Sequence, residues 1–158
     1  MIRKAVGAIV FQGNSFLIVN KTKINSKLGK ETIKGEWDFI KGGVMESDTS
    51  FQASLLRELK EETGSSNFKV VKEFNEKISF DFPNDIALKI GLEKQETTMF
   101  LVEYLGDTNK LSPIDNEIND IKFFEKDNVL EILTHADTKE FFLKHILHNT
   151  ETNTSKKT

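Results

Sequence analysis

The most constraining feature of this chain is the segment from Gly42 to Gly64. It holds a Gly-Gly pair, a short polar turn, and then a run ending Leu55-Leu56-Arg57-Glu58-Leu59-Lys60-Glu61-Glu62-Thr63-Gly64. Leu55, Leu56 and Leu59 recur at helical spacing and predict an amphipathic helix over 49–63. Thr49 or Ser50 is the expected N-cap, with Gln52 at capping-box distance from Thr49. Gly64 is the expected C-terminal stop. At about 100° per residue, Glu58, Glu61 and Glu62 share an arc of roughly 100°, bordered by Leu55 and Leu59, which face the core. Carboxylates stacked this way repel, and they stand near a helix C-terminus, where the macrodipole disfavours negative charge. Such a face is either simply solvated or neutralised by a cation, and hard oxygen donors suit Mg2+ or Mn2+.

The composition narrows the setting. A length of 158 residues fits one domain, read here as 1–148, followed by a polar tail over 149–158 that is expected to be disordered. There is no cysteine, hence no disulfide framework and no thiolate zinc site. No apolar run is long enough for a membrane helix. Met1–Lys4 leads straight into Ala5–Phe11, too short for a secretory signal. A cytoplasmic location is expected. The net charge of −3 argues against a general nucleic-acid binder. Only Arg3 and Arg57 are arginines among many lysines, and an isolated arginine suggests a planar, bidentate partner that lysine cannot satisfy.

Ala5–Phe11 and Ser15–Lys21 read as a hairpin joined at Gln12-Gly13-Asn14. Thr22–Glu36, with Lys23, Lys27, Lys30 and Lys34, reads as a long polar loop: either a solvated loop or a basic flap that meets a polyanion. Trp37–Ile40 is a short strand. Phe68–Phe82 is β-rich, as one or two strands, and is broken at Pro83-Asn84-Asp85. In Glu96–Leu105, Met99 and Leu101 lie on one face and Phe100, Val102 and Tyr104 on the other, so this strand is expected to be central. Ile118–Phe124 is a strand, Asp127–Leu133 a short helix, and Asp137–His148 a terminal helix with Phe141, Phe142, Leu143 and Ile146 for the core. The order implies an α+β fold with a mixed sheet and helices packed on it.

Gly43 to Ser65 resembles the Nudix box, G-x5-E-x7-R-E-U-x-E-E-x-G-U with U aliphatic. Gly43, Arg57, Glu58, Leu59, Glu61, Glu62 and Gly64 fall in register. The likeness extends over about Ile2 to Leu147 and implies an α/β/α sandwich. Two positions depart: Thr49 stands for the first glutamate and Ser65 for the last aliphatic residue. In the family that glutamate often positions the box arginine or metal-bound water. Asp48 and Glu46 are the nearest substitutes, and neither is in register.

The resemblance implies metal-dependent hydrolysis of a phosphoanhydride in a nucleoside diphosphate linked to another moiety. It makes Glu58 and Glu62 metal ligands, Glu61 a ligand or base, and the Gly42 carbonyl a further ligand. Arg57 would brace the carboxylates, and Gly43 would permit a tight turn. The cofactor implied is Mg2+ or Mn2+. Trp37-Asp38-Phe39-Ile40-Lys41-Gly42-Gly43 resembles the entry to the box in diadenosine polyphosphate hydrolases and RNA 5′-pyrophosphohydrolases, with Ile40 in place of proline. Glu117 resembles an auxiliary metal-site acid of that group.

Lys41 is a candidate phosphate contact. Trp37, Phe39, Phe80, Phe82 and Tyr104 are candidate partners for a base, against an ordinary core role for most of the phenylalanines. His135, His145 and His148 read as surface residues. The leading expectation is a hydrolase of dinucleoside polyphosphates or of 5′-triphosphate ends, with RNA met only as a 5′-end substrate. The alternatives are a housecleaning nucleoside triphosphate or ADP-ribose pyrophosphatase, and a non-catalytic nucleotide-binding domain. The last would follow from Thr49.

Overall fold

The computed structural model describes residues 1–26, 29–113 and 118–148. In chain order its strands and helices are β1 (Ile2–Gln12), β2 (Ser15–Ser26), β3 (Gly29–Asp38), β4 (Ile40–Gly43), α1 (Phe51–Thr63), β5 (Phe68–Asp81), α2 (Asn84–Ile90), β6 (Lys94–Tyr104), β7 (Ile118–Glu125), α3 (Val129–Ile132) and α4 (Ala136–Phe142). A π-helical turn over Leu143–Leu147 continues α4.

β1 sets the architecture. Val6, Ala8 and Val10 enter one core and Ile9 enters another, so the strand is covered on both faces and lies inside the sheet. The order is β3-β2-β1-β6-β5, with β4 also paired to β1 and β7 to β2. β1 and β6 run parallel, and the remaining pairs are antiparallel. On one side Leu55 and Leu59 of α1 pack over Val6, Val10, Phe100 and Val102. On the other, Val129, Phe141 and Phe142 cover Ile9, Ile18 and Met99. The result is the expected α+β fold, a mixed sheet between helices. Met99 and Phe100 do fall on opposite faces of a central β6. The first hairpin turns at Gly13-Asn14, where Gly13 adopts a φ of +59°.

Several expectations are corrected. Thr22–Glu36 is not a loop. β2 and β3 run through it as an antiparallel ladder from Val19↔Asp38 to Ser26↔Gly29, shifted in register between Lys21 and Lys23. Thr22, Ile24, Thr32 and Ile33 are β-formers, but interleaved lysines and glycines hide their pattern. Lys27 and the side chains of Lys23, Lys30 and Lys34 lie outside the described residues, as does the tail over 149–158. Ser50, not Thr49, caps α1, accepting from the Ala53 N–H at 3.0 Å; Gln52 therefore makes no capping box with Thr49. Leu56 is exposed, because only Leu55 and Leu59 reach the core.

β5 is one strand with two register shifts against β6. α2 was not legible in the sequence, since it buries none of its residues and so shows no apolar stripe. Leu143 turns outward where the π-helical turn begins. Gly64 ends α1 as expected, at φ 76°, donating to the Lys60 carbonyl.

Candidate active site

β4 places the site. It lies beside β1 in the register Ala5↔Gly43 to Ala8↔Ile40, and α1 returns across both. This brings Glu58 onto the β4 backbone. A Cβ at Gly42 would stand 2.0 Å from the Glu58 carboxyl carbon, and one at Gly43 would stand 2.8 Å from Nη2 of Arg3. Neither glycine has a positive φ. The expectation that Gly43 serves a tight turn is therefore corrected: it is a strand residue, and close approach is what demands glycine here.

Arg57 is the hub. Its Nε donates to Oδ1 of Asp48 at 3.0 Å and its Nη2 to Oδ2 at 2.8 Å. Nη2 also donates to the Gly43 carbonyl at 3.0 Å. Nη1 reaches Oε1 of Glu58 at 3.0 Å and Oε2 of Glu61 at 3.2 Å. The bidentate partner suggested by an isolated arginine is thus Asp48, while Thr49 is exposed. The Arg57 guanidinium, the Ser54 hydroxyl and the Met45 N–H hold the Asp48 carboxyl far below the usual carboxylate range. Arg57 is correspondingly pushed up, chiefly by Asp48. Burial pushes the Glu58 carboxyl up, against the opposing effect of Arg57. The Glu61 side chain is half exposed, at 50%. Glu62, one turn beyond Glu58, is buried.

Glu58 and Glu61 stand at the wall of a cleft of about 460 Å3. Its cations include Arg3, Lys21 and Lys41. Lys41 is held by Oγ1 of Thr138 at 2.8 Å and Oδ1 of Asp38 at 3.2 Å. The cleft also brings in Asp137 and His135, whose Nε2 lies 2.8 Å from Oε2 of Glu36. His135 reaches the rim because Thr134 is tied to β3: Trp37 N–H donates to Oγ1 of Thr134 at 2.8 Å, and Thr134 N–H donates to the Trp37 carbonyl at 3.0 Å.

The expected base partners separate. Phe39 is fully buried and Tyr104 is 2% exposed, its hydroxyl donating to the Asp107 carbonyl at 2.8 Å. Both are core residues with no face to offer a ligand, which corrects their reading as stacking partners. Trp37 packs edge-on against Phe124, with ring centroids 5.4 Å apart, and is not in the cleft wall. Phe80 is in it, 40% exposed. Glu117 lies outside the described residues. His145 is not a plain surface residue: its ring lies 4.3 Å from that of Phe141, and Nε2 is 2.7 Å from Oε1 of Glu76.

Sequence reasoning missed Arg3, Asp38, Gln95 and His135 as cleft residues. The rarity of arginine was the available signal for Arg3. The two arginines flank the same residue, Gly43.

The donors fit a divalent cation. Glu58 and Glu61 present carboxylate oxygens at the wall, and the close approach at Gly42 presses the Glu58 carboxylate against the strand backbone. Among the described residues no three acidic or histidine side chains form a cage. Glu58 and Glu61 would supply only part of a shell, a donor set that fits an ion such as Mg2+, which keeps waters and shares phosphate oxygens.

Comparison with known proteins identifies the family. The family model of the NUDIX domain matches residues 1–146. An RNA pyrophosphohydrolase of a Nitratiruptor species is 33% identical over 107 residues, 66% of this chain and 68% of that protein. One from Campylobacter jejuni subsp. jejuni is 31% identical over 112 residues, 70% of each. Among solved structures, a C. elegans Ap4A hydrolase binary complex aligns with TM-score 0.66 at 16% identity, covering 90% of this chain and 94% of that one. The E. coli dihydroneopterin triphosphate pyrophosphohydrolase aligns with TM-score 0.66 at 10% identity, covering 91% and 94%. The box register, the layered fold and these matches agree: the chain belongs to the NUDIX family, as one of its phosphoanhydride-cleaving pyrophosphohydrolases.

Proposed function

We propose that this enzyme hydrolyses a phosphoanhydride at the 5′-triphosphate end of an RNA, with Mg2+ or Mn2+ as the working ion, in the cytoplasm. The observation that carries the reading is the pairing of a carboxylate wall, Glu58 and Glu61, with Arg3, Lys21 and Lys41 in one cleft. Such a cleft suits a polyphosphate that bridges metal and cations. The 31–33% identical relatives are named RNA pyrophosphohydrolases, which favours an RNA end. No helix among the described residues is long and apolar enough to cross a membrane.

In this reading Glu58 and the Gly42 carbonyl would hold the ion, with Glu62 and Glu117 as further candidate ligands and Glu61 beside them as the base. The ion supplies charge neutralisation at phosphate and a more acidic attacking water. Arg57 braces Glu58 and Glu61. Glu61, the more exposed carboxylate, accepts the proton of the attacking water. That water adds to phosphorus as the bridging P–O bond breaks, and the leaving phosphate chain departs against Lys41 and Arg3. Positioning and charge stabilisation are most of what phosphoryl transfer requires of a protein. Phe80 offers the exposed ring for the first base.

A dinucleoside polyphosphate is the second reading, favoured by the structural likeness to an Ap4A hydrolase. A hydrolysis panel with each ion separates them. It holds 5′-triphosphate RNA, diadenosine tetraphosphate, ADP-ribose and nucleoside triphosphates, with products resolved by chromatography. Fastest ion-dependent cleavage of the RNA end supports the first reading. Preference for diadenosine tetraphosphate replaces it with the second, and cleavage of ADP-ribose or a nucleoside triphosphate alone refutes both.

A further inference from the structure

We propose that Asp48 is the positioning carboxylate of this site, holding Arg57 turned so that Glu58 and Glu61 present to a divalent cation. The resemblance gives this role to a glutamate one residue later, where this chain has Thr49. The proposal rests on the metal-dependent reading above and makes the departure at Thr49 a relocation of function rather than its loss.

The geometry is specific. A guanidinium is a planar fork of five N–H donors. Arg57 spends one edge, Nε and Nη2, on the two oxygens of Asp48 at 3.0 and 2.8 Å. Nη2 is further fixed by the Gly43 carbonyl at 3.0 Å. Only Nη1 is left to touch Glu58 and Glu61. The plane of the fork therefore presents one corner, not one edge, to the ligand carboxylates. A bidentate pair is the strongest arrangement open to an arginine and a carboxylate. Without Asp48 the freed edge would rotate onto Glu58 or Glu61 and compete with the cation for their oxygens.

Asp48 is itself held. Its Oδ2 accepts from Met45 N–H at 2.8 Å and from the buried Ser54 hydroxyl at 2.7 Å, and its own N–H closes the turn onto the Met45 carbonyl at 2.9 Å. A carboxylate anchored on a turn and on α1 is rigid enough to orient a partner. The turn closed at Met45 and the contact with Ser54 bring the short aspartate arm back onto α1. That is how a residue outside the box register reaches Arg57.

These bonds also close a turn, so the test must separate positioning from stability. Four variants are compared with the wild-type chain: Asp48→Ala, Asp48→Asn, Thr49→Glu, and Asp48→Ala with Thr49→Glu. Each is measured for Mn2+ affinity by calorimetry without substrate, for thermal unfolding without metal, and for turnover on the panel above. Removing an outer-sphere partner typically costs about 10–100-fold in metal affinity or activity. Asp48→Ala and Asp48→Asn are expected to lose Mn2+ affinity by that order and turnover with it, while Thr49→Glu alone changes neither. The double variant is expected to regain Mn2+ affinity and turnover while its melting temperature stays low, because Met45 N–H and Ser54 still lack their acceptor.

Mn2+ affinity unchanged in Asp48→Ala overturns the proposal. So does a double variant whose affinity stays with its melting temperature, since that is the signature of a purely structural residue. A wild-type chain that binds Mn2+ and shows the expected pattern of Mn2+ affinity and melting temperature, yet does not cut the RNA end, supports the role of Asp48 and refutes the proposed substrate.

Discussion

Gly42→Ala is the most discriminating single change at this site. The new methyl would stand 2.0 Å from the Glu58 carboxyl carbon, whereas carbon atoms in contact prefer about 3.5 Å or more. One partner must retreat by about 1.5 Å. The strand cannot, because β4 is paired with β1 from Ala5↔Gly43 to Ala8↔Ile40. Glu58 must therefore move, and Arg57 holds it at 3.0 Å. A misplacement of about 1 Å at reacting groups costs on the order of 100-fold in rate, equivalent to about 2.7 kcal/mol of barrier. The clash falls on the far end of a flexible side chain beside the cleft, so stability should change little.

The assay is the chromatographic yield of hydrolysis products from 5′-triphosphate RNA under saturating Mg2+, alongside a melting curve. The expected result is a loss of kcat/KM of about 100-fold in a protein that still unfolds cooperatively. Gly13→Ala is the matching control. Its Cβ meets nothing within 4 Å, but its φ of +59° is strained for alanine, so it should lose about 1–2 kcal/mol of stability and no activity. Unchanged kcat/KM in Gly42→Ala would refute the argument that Glu58 works where it touches β4.

Glu58→Gln and Glu61→Gln should each lower kcat by orders of magnitude with the fold retained, and Glu58→Gln should raise the melting temperature of the metal-free protein, since it removes a carboxylate whose ionised form burial disfavours; unchanged turnover in both would remove the site from α1. Phe80→Ala should raise KM for a 5′-triphosphate RNA by about tenfold, the low end of what base stacking contributes, and leave kcat nearly unaltered. Asp48 supplies the pH test. Its folded-state carboxyl is held below its ordinary 3.8, so its stabilisation is complete above that value and is lost as pH falls toward the held one. Between about pH 4 and pH 2 the wild-type melting temperature should therefore fall more steeply than that of Asp48→Asn, and parallel curves would contradict the ion pair.

The sequence was most legible where one physical rule dominated. α1 could be read because leucine spacing, a hydroxyl cap and Gly64 all agreed, and β6 because both of its faces are apolar. The carboxylate arc of Glu58, Glu61 and Glu62 followed from helix geometry alone, whereas the burial of Glu62 did not. What stayed hidden depends on tertiary pairing. β3 is a strand because β2 lies beside it, and its lysines and glycines say otherwise. Phe39 and Tyr104 read like Phe80 in sequence, since an aromatic residue in a strand carries no mark of which face the sheet will bury. Asp48 was the nearest acid to an empty box position, yet only the chain path from Met45 to Ser54 turns it toward Arg57.

The same division explains why the box names the chemistry but not the substrate. Its residues lie on β4 and α1 and, in the proposed reading, handle the phosphate and metal common to all the candidate substrates. The structural neighbours share that layered fold, yet their names span an Ap4A hydrolase and a dihydroneopterin triphosphate pyrophosphohydrolase. Outside the box, the same cleft is walled by Ile78, Phe80, Gln95 and Thr97 of β5 and β6, and discrimination between substrates is expected to arise there. Gln95 is nearly buried there and accepts from Nη1 of Arg3 at 2.6 Å, which ties that wall to Gly43 across β1. A change at Gln95 should alter which substrate is preferred, whereas a change at Glu58 should depress all of them together. Measuring Gln95→Ala across the panel tests this directly: a uniform loss would place Gln95 with the phosphate machinery and leave the choice of base to Phe80.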